Sequence, residues 1–328
     1  MLRWLLFCVA VGYNSLNINI MRKNETGVLD FFSRHNQEFY KKVGYSRSKV
    51  TYDRYQTVFL HLQRYIHSKY RKSDLLLCRL RNSFVCGFDD WLRRERGLAP
   101  NSVWSYMIAL KHILALAKDE GLTKVNLFSN YINSYTPADR GYLSEEELLR
   151  LMQEPPASGV EELVRDLFLF SAFTGLSYVD IKELRAGNLR KLFDGNWWIV
   201  TRRHKTRVES DVRLLDVPLR LIEKYKDQVP DGHLFPVPSN NCCNEHLHEL
   251  ERRCGFHTHL TFHVGRHTFA TLALNRGMPI ETLSRILGHT NIRTTQIYAK
   301  ITNKKISQDM ALLAEGLSKV EQAIGRKI

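Results

Sequence analysis

The chain has 328 residues and a formal net charge of +14, which results from 48 Lys and Arg against 34 Asp and Glu. This length predicts two domains, and a hydrophobic share of 44% suffices for a sizeable core. The positive excess favours a polyanionic partner over a neutral metabolite, and because the basic residues are spread along the chain, it disfavours an amphipathic helix on a membrane surface.

Residues 1–22 are the first predicted segment. Their apolar run, Trp4–Val11, resembles the core of a signal peptide but is too short to span a bilayer. The six cysteines of the chain show no regular spacing, which indicates reduced thiols and a cytoplasmic protein. We therefore interpret residues 1–22 as an N-terminal extension or a mis-assigned start, with Met21 as the candidate start; a cleaved signal peptide is the alternative.

Residues 23–131 are predicted to form a helical domain, because apolar residues recur at helical spacing in four segments before Gly121. Between Lys41 and Arg81 there are eleven Lys and Arg against two acids. A solvated helix face explains any single charge, but this imbalance favours a surface that follows a phosphate backbone. The residues expected to make those contacts are Lys41, Lys42, Arg47, Lys49 and Arg54.

The second predicted domain, residues 143–302, follows a linker at 132–142 that contains proline and glycine. Asp194-Gly195 lies between two stretches rich in strand-forming residues and predicts a hairpin turn. A third strand is predicted over Val212–Val217, and the next helix over Leu219–Asp227. The remaining segments are predicted to be helical, so the fold class is mainly α with a small antiparallel β-sheet.

A group of reactive side chains follows near the C-terminus. His263 and Arg266 are three residues apart, which places them on one face of a helix, and His289 and Tyr298 come later. Arginine is a bidentate phosphate donor, histidine accepts a proton near neutral pH, and a phenol can be a covalent nucleophile. The set suits attack on a phosphodiester. Structural roles are the alternative for each residue, and His267 is assigned to the core.

These motifs resemble those of the tyrosine recombinases, also called phage-type integrases, and the resemblance covers about residue 140 to the end. It implies a helical core-binding (SAM-like) domain followed by an α+β catalytic domain, and double-stranded DNA as the partner. The residues that carry the resemblance are Thr174-Gly-Leu-Ser177 and Asp180 in a first box, Lys205 after a strand, His263-x-x-Arg266, Gly288-His289 and Tyr298.

The resemblance also implies a role for each residue. Tyr298 would attack the phosphorus and leave a 3′-phosphotyrosyl bond and a free 5′-hydroxyl. Arg266 would hold the non-bridging oxygens, His263 would take the tyrosine proton, and His289 would donate to a phosphate oxygen. Lys205 would protonate the leaving 5′-oxygen. Because the covalent link conserves the energy of the broken bond, no cofactor and no metal are expected.

One position departs from the family pattern. Most members have arginine where this chain has Ser177, and the serine resembles a branch of mobile-element integrases and invertases. We hypothesise that Arg203 replaces the absent guanidinium because it lies on the same basic loop as Lys205. Arg202 and Arg207 are further candidates on that loop and expected DNA contacts. Asp180 is expected to orient the arginine or histidine side chains.

The predicted function is site-specific DNA recombination by a homo-tetramer on two DNA sites, in integration, excision or inversion. Accessory DNA-bending proteins are further candidate partners, and no membrane association is expected. Two alternatives stay open. A type IB topoisomerase would use the same chemistry without pairing two sites, and a catalytically inactive DNA-binding regulator is suggested by Ser177.

The last two predicted features lie in the catalytic domain and after it. Cysteines and histidines between residues 242 and 259 include two finger-like spacings, but the flanking Asn and Pro indicate a loop that leads into a helix, so no metal site is predicted. The tail, residues 303–328, is expected to form a helix that docks on a neighbouring protomer. Its apolar residues at helical spacing are Ile306, Met310, Leu313 and Leu317.

Overall fold

A computed structural model divides the chain into two compact units, residues 1–138 and 139–328. Within its described part, the structure has no helix with both the length and the apolar character needed to cross a bilayer. The predicted N-terminal extension and Lys205 lie outside the described residues. The described residues are 25–136, 141–204, 207–226, 228–229, 231–299, 306–307 and 309–317.

The first unit is built from α-helices around one apolar core. Helix α2 begins where the Ser48 side chain accepts a hydrogen bond from the Thr51 amide, which supplies one of the partners that a helix start lacks. The Asp74 carboxylate accepts the amides of Leu29 and Asp30 in the same way at the start of α1. The four α-helices between residues 25 and 136 are α1 (Val28–Tyr40), α2 (Lys49–Tyr70), α3 (Asn82–Arg94) and α4 (Pro100–Asp119).

The described part of the second unit combines eight helices before residue 300 and a helical tail with one three-stranded sheet. The predicted capping box at Ser144 starts its first helix. The helices are α5 (Glu145–Gln153), α6 (Gly159–Thr174), α7 (Tyr178–Lys182), α8 (Asp216–Tyr225), α9 (Asn240–Cys254), α10 (Phe262–Asn275), α11 (Ile280–Ile286) and α12 (Arg293–Gln296). The strands are β1 (Leu189–Lys191), β2 (Trp197–Arg202) and β3 (Glu209–Arg213).

The core of the second unit forms around α6, which packs against α10. A Cβ on Gly265 would lie 3.1 Å from both the Phe168 carbonyl oxygen and the Ser171 side chain. Only a residue without a side chain allows the two helix backbones to approach so closely. Helix α10, which carries His263 and Arg266, is therefore fixed against the most buried helix of the unit.

The sheet is antiparallel, with β2 in the middle, and Ile199 of β2 is fully buried between Leu189 and Val212. The predicted fold class is confirmed: the unit is mainly helical with a small antiparallel sheet. The predicted extent of the third strand is wrong, because β3 ends at Arg213 and α8 already begins at Asp216. Pro218 belongs to that helix, since a proline is tolerated in a first turn, where amides have no helical partner.

Candidate active site

Arg266 is the centre of the site, and its side chain is only 2% exposed. Its Nη1 donates to the Gly175 carbonyl at 2.6 Å, and its Nη2 donates to the Leu287 carbonyl at 2.7 Å. Both carbonyls lie at helix C-termini, those of α6 and α11, where carbonyls lack helical partners and carry partial negative charge. Two helix ends thus fix the guanidinium in place.

The positive charge of Arg266 is only partly compensated. The hydrogen-bond partners of its side chain, two carbonyls and the His289 imidazole, are neutral groups. Burial, and then the charge of Arg203, lower the pKa of Arg266 to about 10, so the guanidinium remains protonated at neutral pH. A buried cation with neutral partners gains strongly from the arrival of an anion such as a phosphate.

His289 is held as a neutral imidazole with a defined tautomer. Arg266 Nη2 donates to its Nε2 at 3.0 Å, so the ring hydrogen is on Nδ1, which donates to Thr295 Oγ1 at 2.8 Å. Burial, followed by the charges of Arg266 and Arg203, lowers the pKa of His289 to about 4. The predicted donation from His289 to a phosphate oxygen therefore requires that the phosphate replace His289 as the partner of Arg266 and that Nε2 gain a proton.

Tyr298 follows α12 and is 7% exposed, next to the apolar residues Leu283 and Leu287. It lies near enough to Arg266 to raise the pKa of that guanidinium. The edge of its ring meets His267, with ring centroids 4.9 Å apart. The phenol therefore lies in the site of its own chain, beside the buried guanidinium.

His267 has a different position from the one assigned to it from the sequence. It is half-buried between two site residues, with its ring 4.7 Å from His263 and 4.9 Å from Tyr298. His263 itself is exposed. The spacing of four residues on α10 brings the two imidazoles together. The rings of His263, His267 and Tyr298 therefore form a continuous row from the surface to the phenol.

Asp180 joins the first box to the basic loop between β2 and β3. Its Oδ2 accepts hydrogen bonds from Ser177 Oγ and from Arg203 Nη1, and its Oδ1 accepts from the His204 amide at 3.0 Å. The Arg203–Asp180 ion pair is largely buried, and its two side chains are 13% and 3% exposed. The Arg203 guanidinium therefore lies directly beside the side chain of residue 177.

Gly288 provides the space for this arginine. Its φ is +61°, and a Cβ on it would lie 2.3 Å from Cγ of Arg203. The aliphatic part of Arg203 thus crosses the turn between α11 and His289. Arg202 points away from the site, as alternation along a strand requires, and pairs with Glu209 at 3.1 Å on the surface. Arg207 is exposed on the same loop.

The expected DNA contacts of the first unit lie in one segment, the basic turn, residues 41–54. Two of these side chains pair with acids of the same helix region and are still more than 60% exposed. Tyr45, in the same turn, is 93% exposed. Cations and an aromatic ring on one surface suit a phosphate backbone. The five exposed basic residues are Lys41, Lys42, Arg47, Lys49 and Arg54.

A phenol, a buried guanidinium and several imidazoles in one site suit an enzyme that breaks and rejoins DNA strands through a tyrosine. The chain belongs to the phage integrase family, the tyrosine recombinases. Residues 141–305 match the phage integrase family itself, and residues 27–134 match the phage integrase SAM-like domain. The resemblance expected from the sequence motifs is confirmed at the level of the family.

Individual relatives agree with this family. Tyrosine recombinase XerC of Treponema denticola is 25% identical over 294 residues, 79% of this chain and 90% of the relative. Tyrosine recombinase XerA of Saccharolobus solfataricus is 36% identical over 107 residues, which span only 36% of that relative. The Tn1549 transposon integrase, in complex with a circular intermediate DNA, shares the fold at 16% identity, with a TM-score of 0.67 over 88% of this chain and 99% of its own.

Proposed function

We propose that this enzyme is a site-specific DNA recombinase that cuts and rejoins strands through a 3′-phosphotyrosyl intermediate on Tyr298. The observation that carries the proposal is the position of Tyr298, which is 7% exposed, contacts His267 with its ring and lies near enough to the buried Arg266 to raise the pKa of that guanidinium. It places the nucleophile next to the group that binds the phosphate. The net charge of +14 and the exposed basic turn support double-stranded DNA as the substrate.

The proposed reaction exchanges a phosphodiester bond for a phosphotyrosyl bond of the enzyme. Arg266 and Arg203 bind the non-bridging oxygens of the scissile phosphate, where negative charge increases in the transition state. His263 accepts the phenolic proton, with His267 between it and the tyrosine. The bond from the Tyr298 oxygen to phosphorus forms, and the bond from phosphorus to the 5′-oxygen breaks. Lys205 donates a proton to the leaving oxygen, and the reverse sequence rejoins the strand.

Arg203 takes the place of the arginine that most of the family has in the first box. Ser177 Oγ and Arg203 Nη1 donate to the same oxygen of Asp180, so the second guanidinium reaches the space beside residue 177 from another element. Arg203 also lowers the pKa of both Arg266 and His289, which requires that its charge lie close to them. We therefore assign the chain to the branch with serine at this position.

The adjacent arginines of β2 and its loop provide a matched test of this assignment. Arg203→Ala should lower the rate of strand cleavage by about 100-fold or more, the usual effect of removing a donor to a developing oxyanion. Arg202→Ala removes an equal charge from the exposed side of the strand and should change the rate less than about threefold. Equal rates for the two variants would contradict the assignment.

Capture of the covalent intermediate tests the function as a whole. DNA that flanks the gene and contains inverted repeats serves as a nicked substrate, so that a cleaved strand stays attached to the protein. The parent chain should form the adduct, and Tyr298→Phe should form none. Tyr178→Phe is the control, because it removes a hydroxyl that donates to the Pro238 carbonyl outside the site. An adduct that persists in Tyr298→Phe would disprove the nucleophile.

Two assays, plasmid relaxation and adduct formation on the flanking DNA, separate the alternatives. A type IB topoisomerase relaxes plasmids that lack any recombination site, whereas the proposed enzyme acts only on paired sites. A DNA-binding regulator binds the flanking DNA without forming an adduct. Tyr298 is buried near Arg266, and this position favours the enzyme over the regulator.

The proposed assembly is a homo-tetramer on two DNA sites in the cytoplasm, where accessory DNA-bending proteins assist it. The tail supports this assembly. Its described residues, 306–307 and 309–317, are helical and exposed, and the apolar residues Ile306, Met310, Leu313 and Leu317 recur at the spacing of one helical stripe. An exposed apolar stripe requires a partner surface, and we propose that a neighbouring protomer provides it. Integration, excision and inversion are all compatible with this assembly.

A further inference from the structure

A cluster of three metal-binding side chains lies outside the active site, at the junction of α9 and α10. His248 and Glu251 are three residues apart on α9, which puts them on one face of the helix. After α9 the chain reverses through Gly255, and His259 returns to the same face. One nitrogen or oxygen atom from each of the three side chains lies within 4.8 Å of the other two.

The loop between the helices holds this cluster together. Leu260 is fully buried, and its amide donates to Glu251 Oε2 at 2.7 Å, so the carboxylate has a fixed orientation. His259 Nδ1 lies 3.2 Å from the same oxygen. The His248 and His259 rings stack with centroids 4.3 Å apart. Two stacked imidazoles therefore share one oriented carboxylate.

We propose that His248, Glu251 and His259 form a Zn²⁺ site that ties the loop before α10 to α9. A single proton can bridge the carboxylate to only one imidazole, whereas one divalent ion binds lone pairs of all three groups. Two nitrogen or oxygen ligands of a tetrahedral Zn²⁺ lie about 3.4 Å apart. Small side-chain rotations would bring the three ligand atoms, which now lie within 4.8 Å of one another, to this separation. Water completes the coordination.

The choice of metal follows from the ligands. Two imidazoles and one carboxylate suit Zn²⁺, whereas Mg²⁺ and Ca²⁺ prefer oxygen ligands alone. The hydrogen bond from the Leu260 amide is the kind of supporting contact that orients a metal-binding carboxylate. Finger-like spacings elsewhere in this region, Cys243-x-x-His246 and Cys254-x-x-His257, form no such cluster among the described residues.

The position of the site gives it a structural effect. His259 precedes the catalytic candidate His263 by four residues, and the Phe262 amide at the start of α10 already donates to Asn244 of α9 at 3.0 Å. A bound ion adds a second link between α9 and the segment that leads into α10. Zinc would therefore stabilise the loop at 255–261 without taking part in strand cleavage.

Zinc binding to the full chain tests the proposal directly. The protein is treated with EDTA, exchanged into metal-free buffer, and titrated with Zn²⁺ against a chromophoric chelator. The parent chain should bind one equivalent of Zn²⁺ tightly, here called the tight equivalent. His248→Asn and Glu251→Gln should each bind that equivalent at least about tenfold more weakly. His248 is exposed, and glutamine at position 251 keeps a side-chain oxygen that can accept the Leu260 amide, so these variants should unfold near the parent temperature in the absence of metal.

Two neighbouring histidines are controls. His257 is exposed in the same loop, and His263 belongs to the active site, so His257→Ala and His263→Ala should both keep the tight equivalent. Zinc should also slow hydrogen exchange of the 255–261 loop in the parent chain and not in Glu251→Gln. A parent-like titration of Glu251→Gln, or loss of the tight equivalent in His263→Ala, would overturn the proposal. Neither result depends on recombinase activity.

Discussion

At the residue scale, the main feature of the site is positive charge that the protein compensates only in part and that an anion can neutralise. Arg266 and Arg203 both lower the pKa of His289, after burial, and Asp180 is the carboxylate that pairs with Arg203. An imidazole next to two guanidiniums is neutral, so it accepts a hydrogen bond instead of donating one. A bound phosphate reverses this situation, because it adds negative charge and offers Arg266 a new partner.

DNA binding should therefore raise the pKa of His289. In the free protein the pKa is about 4; in the complex we expect it to rise by at least one unit because the phosphate stabilises the imidazolium. NMR of the His289 ring across pH 3.5 to 8, with and without DNA, measures both values. Tyr298→Phe protein prevents cleavage during the titration. An unchanged pKa would show that His289 does not meet the phosphate.

Thr295 is a second residue whose role follows from a single contact. Its fully buried hydroxyl accepts the Nδ1 hydrogen of His289 and so selects the ring tautomer. Thr295→Val keeps the side-chain shape and leaves Nδ1 without this acceptor. We expect cleavage to slow by about tenfold or more, while DNA affinity stays within about threefold. Parallel single-turnover and binding assays separate the two effects, and a parent-like cleavage rate would refute the role.

At the scale of elements, the site is assembled from the ends of α6 and α11, the face of α10 and the loop after β2. Gly288 is the contact between two of these elements, because its missing side chain leaves room for Arg203. Gly277, which ends α10, has a similar positive φ of +88° but no atom within 4 Å of a built Cβ. The two glycines therefore share a positive φ, and of the two only Gly288 lies against the arginine.

Gly288→Ala and Gly277→Ala should both lower stability by about 1 kcal/mol, since alanine disfavours a positive φ. Only Gly288→Ala should displace Arg203 and reduce cleavage towards the level of Arg203→Ala. Denaturant unfolding and single-turnover cleavage of the two variants measure the two quantities separately. If Gly277→Ala lost as much cleavage as Gly288→Ala, backbone strain alone would account for the loss.

The elements were predictable from the sequence where their signals are local. The capping box at Ser144 and the Asp194-Gly195 turn depend on neighbouring residues, and both occur as predicted. The start of α8 differs from the prediction, because Val212–Val217 favour a strand and the predicted helix begins only at Leu219, whereas α8 begins at Asp216. Thr295 and the carbonyl of Leu287 carry no motif of their own. Their roles arise from tertiary packing, which brings distant backbone to Arg266.

At the scale of the whole molecule, two separate positive regions match one polyanion. The first unit has the exposed basic turn, and the second has the partly compensated guanidiniums of Arg203 and Arg266. The DNA contacts that we propose for the turn depend on charge, so their contribution should weaken with salt, whereas the buried pair lies in a pocket that salt screens little. We thus propose that binding and chemistry belong to different units of one chain.

The tail links the chain to its proposed partners. Leu313 lies on the exposed apolar stripe. Leu313→Asp should leave binding to a single DNA site unchanged. It should reduce assembly on two sites by about tenfold or more, because a charge buried in an interface is unfavourable. Ala311→Asp places the same charge on the same helix, outside the stripe. Sedimentation of protein–DNA complexes distinguishes single-site from paired assemblies. Equal defects in the two variants would show that the added charge, and not the stripe, controls assembly.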